Sequence, residues 1–236
     1  YGIGESHADT LLAGVETLVP DGNLKLGFRA HYPQLETKLT VRGTDMEDIR
    51  RKLAPAEKAV RQRLGNFILG EDDQKLETVV LGELARHQAT LATVETFTGG
   101  TLAARVSHLA GAEKLFRRGI VTRDLAQLCA ITGLDAKQAG FTLEFAQATA
   151  RATRQHSGAT HALAVLIELD EGADRIEFGG SIFIAIATEK EGVTRHSRML
   201  GGREWVRLGA VEMALDCLRR YLQGLPVDER IDFEKT

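Results

Sequence analysis

Apolar residues in the first third of the chain follow two different periods. After Glu5-Ser6, the residues Leu11, Leu12, Val15 and Leu18 recur at near-helical spacing and Pro20-Asp21-Gly22 punctuates the end, which predicts a helix followed by a turn. Leu24 to Ala30 and Leu35 to Val41 then alternate, and the short His31-Tyr32-Pro33 connection suits a strand pair, with Gly43 closing the second strand. From Asp45 to Leu64, the residues Met46, Ile49, Leu53, Ala56, Val60 and Leu64 step along one helical face, and Pro55 predicts a kink or a split there. Residues 1–74 therefore read as a small α+β domain. The stretch Gly70-Glu71-Asp72-Asp73 has no apolar side chain to bury and marks the boundary.

Beyond it the pattern predicts a helix over Leu76–His87, a short buried strand over Thr90–Val94 and a helix opened by Thr98-Gly99-Gly100 that runs through Ser107. Further strands are expected at Ile120-Val121, Ala162–Glu168, Ile182–Thr188 and Val193–Arg198, with helices near Asp124–Ala130, Asp135–Gln155 and Arg203–Tyr221. Alternating strands and helices predict an α/β domain of three layers, α/β/α, over 75–225, followed by a tail at 226–236. There is no internal repeat and no low-complexity tract.

Composition narrows the function classes. A chain of 236 residues with 43% hydrophobic and 27% charged residues is an ordinary globular protein. Its net charge of -3, from interspersed acids and bases, supplies no field for polyanions. Cys129 and Cys217 both fall in apolar helical patterns and read as buried thiols. None of the seven histidines has metal-ligand spacing. No apolar run approaches the roughly 20 residues that cross a bilayer, and Tyr1-Gly2-Ile3-Gly4 is not a signal peptide, so a cytoplasmic protein is expected. The absence of an initiator methionine and the strand-like opening suggest a piece of a longer chain.

The candidate chemistry lies in Glu95-Thr96-Phe97-Thr98-Gly99-Gly100, between a strand and a helix. Unpaired backbone N–H groups at such a junction can hold a phosphate, and glycines allow its close approach. A purely structural alternative makes Thr98 an N-cap and the glycines packing residues.

This stretch resembles the Glu-Ser-Cys-Thr-Gly-Gly motif in the C-terminal domain of the CinA family of competence- and damage-inducible proteins, matching four of six positions. Arg105-Val106-Ser107-His108-Leu109-Ala110-Gly111, Phe116-Arg117-Arg118-Gly119-Ile120-Val121 and Gly202-Arg203-Glu204-Trp205-Val206-Arg207 are similar to later segments of that domain. Gly2-Ile3-Gly4-Glu5-Ser6 and Leu64 to Asp72 resemble the ends of the family's KH-like middle domain. The resemblance implies a KH-like domain followed by a nicotinamide-mononucleotide amidase-type domain. It also implies an N-terminal domain of the molybdopterin-binding type, associated with ADP-ribose pyrophosphatase activity, that is not part of this chain.

In active members of the family the motif serine, a second serine, a tyrosine and a lysine form the amidase site. Carried over, the motif serine falls on Thr96 and its neighbouring cysteine on Phe97. The second serine falls in Ala110-Gly111-Ala112-Glu113, and the tyrosine and lysine fall on Arg123 and Leu128. A family Thr-Gly-x-x-Gly-Pro loop aligns with Leu166-Ile167-Glu168-Leu169-Asp170-Glu171. The resemblance thus implies lost amidase catalysis and a role in nucleotide binding, regulation or dimerisation. The alternative is an active deamidase with Thr96 as nucleophile and Lys114 or Arg123 replacing the amine. Ligand contacts are expected from Glu95, Thr98, Gly99, Gly100, Arg203 and Arg207; no cofactor or metal is implied. Family members are dimers, so a homodimer is expected, with the helix at 203–221 as its interface. A KH-type module suggests RNA, but residues 1–74 lack the Gly-x-x-Gly loop and nucleic acid is not expected.

Overall fold

Asp45 fixes the start of the longest helix in the first part of the chain. Its carboxylate accepts a hydrogen bond from the Asp48 amide at 2.9 Å, satisfying one of the orphan donors of α2 (Met46–Leu64). The computed structural model describes residues 1–19, 23–170 and 178–235. α2 runs as one helix through Pro55, so the predicted split does not occur. Pro55 and Arg51 are both exposed, so the carbonyl that loses its helical donor is open to water.

The first predicted helix stops early. α1 (Glu5–Leu12) ends at Ala13, Gly14 turns left-handed at φ 78°, and Val15–Leu18 forms a separate 3-10 turn. Arg63 donates to the carbonyls of Leu11 and Ala13, occupying acceptors that a continuing helix would have used. β1 (Leu24–His31) and β2 (Gln34–Val41) pair antiparallel in register Leu24↔Val41 to His31↔Gln34 around Tyr32-Pro33. The predicted turn at Pro20-Asp21-Gly22 lies outside the described residues. Leu12, Val15, Leu24, Ala56 and Leu64 form the core of this unit. It comprises Tyr1–Glu71 together with Arg230–Phe233.

The second unit comprises Asp72–Glu229 and the chain from Glu234 onward. Its helices and strands follow in the order α3 (Leu76–Arg86), β3 (Leu91–Glu95), α4 (Thr101–Ser107), α5 (Ala112–Leu115), β4 (Phe116–Val121), α6 (Leu125–Thr132), α7 (Leu143–Ser157), β5 (His161–Leu169), β6 (Gly179–Ala187), β7 (Gly192–Leu200) and α8 (Arg203–Gln223). The strands form one mixed sheet ordered β4-β3-β5-β6-β7, parallel across β4, β3 and β5 and antiparallel from β5 to β7. The predicted helix over Asp135–Gln155 is two pieces, a 3-10 turn at Ala136–Gln138 and then α7. Asp135 caps the first through the Lys137 amide and Thr142 caps the second through the Phe145 amide, so the segment contains two start signals.

Alternation along β5 divides the core. Ala164 and Leu166 pack with Val94, Leu128, Phe145, Ala146 and Ala150 under α6 and α7. Leu163, Val165 and Ile167 are equally buried but point the other way, to the layer containing α8. α8 is interior for most of its length, with buried side chains from Val206 to Leu222. The helix expected to pair two subunits is therefore consumed by packing within its own chain. Its buried charges are matched internally: Asp216 accepts from both Arg219 and Arg220, and Arg220 also reaches Glu229. Arg195 on β7 donates to the carbonyls of Val227 and Glu229 and pairs with Glu234, holding the segment read as a tail.

Among the described residues, no helix is long and apolar enough to cross a membrane. No group of three or more His, Cys, Asp or Glu residues there could hold a metal ion.

Candidate functional site

β3 has parallel neighbours on both sides, reached by different connections, so the carboxyl ends of β4, β3 and β5 open onto one edge of the sheet. Ligands of open α/β sheets bind at such a switch point. The chain segment there is Glu95 to Gly100.

Glu95 is fully buried and its carboxylate faces the start of α4. It accepts from the amides of Leu102 at 3.0 Å and Ala103 at 2.9 Å, and from the Thr98 hydroxyl. The protein's own anion thus occupies the helix donors that an incoming phosphate was expected to use. The Thr98 hydroxyl is spent on Glu95 and does not cap the helix. Gly100 holds the N-cap position instead, at φ 86° and with no side-chain hydrogen bond.

Thr96 points inward, with 1% of its surface exposed. Its amide donates to the Val165 carbonyl and its hydroxyl oxygen accepts from the Ile167 amide, both at 3.0 Å. The side chain thereby extends the β3–β5 ladder by one rung. Among the described residues no titratable side chain hydrogen-bonds the Thr96 hydroxyl, so the proposed nucleophile has no base beside it.

Phe97 is a partly buried side chain of the turn. It lies in the left-handed region at φ 67°, and the Thr98 amide bonds back to the Thr96 carbonyl across it at 2.8 Å. The Arg123 guanidinium lies 4.7 Å from the centre of its ring and that of Arg203 lies 5.3 Å away, both within cation–π range. Beyond Thr98, Gly99 and Gly100 are also left-handed, at φ 66° and 86°. The amides of Phe97, Gly99 and Gly100 find no acceptor among the described residues.

Arg207 reaches the same turn by donating to the Thr101 hydroxyl at 2.5 Å, but the rest of its fork is held by Glu204 at 2.8 and 2.5 Å. That hydrogen bond keeps the Glu204 carboxyl below the usual range. Arg203 and Arg207, both expected as ligand contacts, thus meet the turn differently, one over an aromatic ring and one in an ion pair with Glu204.

The remaining carried-over positions do not rebuild a catalytic constellation. Leu128 is completely buried in the core beneath α6, and Glu113 and Lys114 are exposed on α5. Leu166 to Leu169 continue β5 as regular strand, and Asp170 pairs with Arg198 at 2.5 Å. Glu171 lies outside the described residues.

Two features carried no sequence signal. The stacking of Arg123 on Phe97 joins residues from different turns. Arg105 clamps α4 by pairing at 2.5 Å with both Glu77 on α3 and Glu212 on α8. Burial opposes the charge of Arg105, but the two carboxylates outweigh it and raise its pKa further.

Comparison with known proteins matches residues 73–222 to the model of the CinA C-terminal domain and residues 1–70 to that of the damage-inducible protein CinA KH domain. A CinA-like protein of Frankia casuarinae is 35% identical over 226 residues, covering 94% of this chain and 52% of that protein. One of Geotalea daltonii is 31% identical over 230 residues, covering 95% and 55%. The chain thus spans about half the length of these relatives. Among solved structures, a competence-damaged protein (CinA) superfamily member from Klebsiella pneumoniae superposes with a TM-score of 0.59 at 23% identity, over 65% of this chain and 99% of that one. One from Escherichia coli gives 0.55 at 20% identity, over 66% and 97%. At these identities the structures speak for the fold alone.

Proposed function

The chain belongs to the CinA family, and from that premise we propose that its second unit is an amidase-type domain that binds a mononucleotide without hydrolysing it. The supporting observation is the commitment of Thr96: its hydroxyl accepts from the buried Ile167 amide and has no base within hydrogen-bond reach. Nucleophilic attack would need that oxygen to leave the ladder, strand a buried amide and find a proton acceptor. Leu128 supplies no amine where the active pattern has one. Binding is supported by the amides of Phe97, Gly99 and Gly100, which find no acceptor among the described residues, on the turn whose Phe97 ring meets the guanidinium groups of Arg123 and Arg203.

In the longer relatives such a unit would regulate the rest of their chain. We assign the protein the same cytoplasmic, homodimeric setting, with a subunit contact elsewhere than α8. Incubation with nicotinamide mononucleotide should release no ammonia above the enzyme-free rate, while thermal unfolding of the second unit should shift upward with the nucleotide. Ammonia release that vanishes in a folded Thr96→Ala variant would overturn the loss of catalysis. An unshifted transition at millimolar nucleotide would overturn the binding role.

A further inference from the structure

A strand pair has two outer edges, and in the β1–β2 hairpin they differ. The Arg42 amide donates to the Asn23 carbonyl at 3.0 Å, one residue beyond the Leu24↔Val41 pair. The Leu26 amide donates away from β2, to the Glu16 carboxylate at 2.7 Å. Bonded and non-bonded pairs alternate along an antiparallel ladder, so both observations fix the same phase. Leu26 and Leu39, Phe28 and Thr37, and Ala30 and Leu35 are the non-bonded pairs, whose backbone groups point away from the partner strand. On β1 that outer edge is met by Glu16 at Leu26. On β2 it is an open row: the amides and carbonyls of Leu35, Thr37 and Leu39 find no partner among the described residues. Such a row is a template for a further strand.

The side chains of the row say which strand fits. Leu35 and Leu39 lie half-buried on the core face of the hairpin, while Glu36 and Lys38 are exposed on the other face. Counted outward from Thr37, the strand therefore has leucine at the second position on both sides and opposite charges at the first. A second copy of β2, laid antiparallel about a two-fold axis at Thr37, sets Leu35 beside Leu39 and Glu36 beside Lys38, each pair occurring twice. The same axis brings the open amides of each strand to the open carbonyls of the other. Moving the axis by one residue either way keeps the faces aligned but sets Glu36 against Glu36 or Lys38 against Lys38. Charge thus selects the register centred on Thr37.

We propose that the outer edge of β2 is the contact between two copies of this chain, joined as a four-stranded sheet by antiparallel pairing centred on Thr37. The proposal rests on the homodimeric reading above and gives that dimer its interface. The segment from Leu35 to Leu39 makes a small contact, so dissociation in the micromolar range is expected.

The test is sedimentation equilibrium of the full chain over a concentration series, in wild type, Thr37→Pro, Glu36→Lys and Lys38→Glu, each checked for wild-type circular dichroism. Proline at position 37 removes an outward amide and leaves the β1–β2 ladder its bonds. Both charge changes lie on the exposed face, so they test the contact independently of the proline. Wild type should dimerise, and each variant should raise the dissociation constant about tenfold or more, since every altered residue acts twice across the axis. An equal mixture of the Glu36→Lys and Lys38→Glu proteins should recover wild-type association to within about threefold, because lysines then face glutamates again. A wild-type dimer whose dissociation constant none of the three variants changes would overturn this interface and leave the homodimer standing. Weakened single variants whose mixture does not recover would overturn the register centred on Thr37. A wild-type chain that stays monomeric to about 200 μM would overturn the homodimeric reading and this proposal with it, leaving the edge to a strand of another protein.

Discussion

The Thr96 hydroxyl accepts from the Ile167 amide at 3.0 Å, so the residue in the nucleophile's place serves as a rung of the central sheet. Thr96→Val keeps the shape and removes the acceptor, leaving a buried N–H unpaired at a cost of about 1–3 kcal/mol. Thr96→Ser keeps the acceptor and should cost less than about 1 kcal/mol. Amide exchange of Ile167 followed by NMR reports this directly. Fast exchange in the valine variant alone is expected, and equal protection in all three proteins would mean that the hydroxyl is not the rung.

Glu95→Gln removes the anion that holds the turn. Its oxygens take the amides of Leu102 and Ala103 separately, so a side-chain amide leaves one of those donors facing an N–H₂ group. The expected loss is about 1–3 kcal/mol, to which the missing charge at the helix start adds. Trp205 is the single tryptophan and lies in the second unit, so its fluorescence during urea unfolding follows the right transition. An unchanged midpoint would refute the capping role.

The contrast between these two residues explains how far the sequence could be read. Strand and helix positions followed from apolar periods, because burial of apolar side chains drives folding and the periods recur along the chain. Helix ends depend on contacts distant in sequence. The continuation of α2 through Pro55 depends on Arg51 facing water, and the break at Ala13 depends on Arg63, fifty residues away. Within the site, glycine-rich spelling located the turn but not the roles. Whether Thr98 or Gly100 caps α4 depends on the carboxylate of Glu95 reaching over the turn. The Phe97–Arg123 contact is a product of the fold alone.

Phe97 occupies left-handed backbone at φ 67°, which costs a bulky residue about 1–2 kcal/mol. Asparagine tolerates this region and β-branched residues do not. Phe97→Asn and Phe97→Val both delete the ring, so their difference isolates the backbone. The valine variant should unfold at lower urea than the asparagine variant, and identical midpoints would argue against strain at this position.

Acid should act on the first unit through Asp48. Hydrogen bonds from Lys52 at 2.6 Å, from the Thr44 amide at 3.0 Å and from Arg51 hold its carboxyl down to about 2. A carboxyl lowered on folding stabilises fully above the unfolded aspartate value of about 3.9, and that contribution is lost as the pH falls through the folded value. The start of α2 should therefore loosen between about pH 4 and pH 2. A carbon-detected titration should place the Asp48 midpoint near the lower end of that window, and Asp48→Asn should abolish its share of the acid dependence. A midpoint at the ordinary aspartate value would show that these bonds do not favour the charged form.

Arg105 sits between Glu77 and Glu212, whose side chains are only 10% and 2% exposed, and its own is 23% exposed. Arg105→Met deletes the cation and leaves two neighbouring carboxylates with little water, a change expected to cost about 3–5 kcal/mol at pH 7. Burial and mutual repulsion would then raise both carboxyl pKa values, so protonation relieves the penalty. The variant should accordingly regain stability as the pH is lowered from 7 to 5, while the wild type, with its charges matched, should not. Adding Glu77→Gln and Glu212→Gln to Arg105→Met should restore most of the loss at pH 7 and remove this pH dependence. Urea midpoints at the two pH values distinguish the cases: if Arg105→Met is no less stable than wild type at pH 7, the two carboxylates are solvated and α4 is held by its apolar contacts instead.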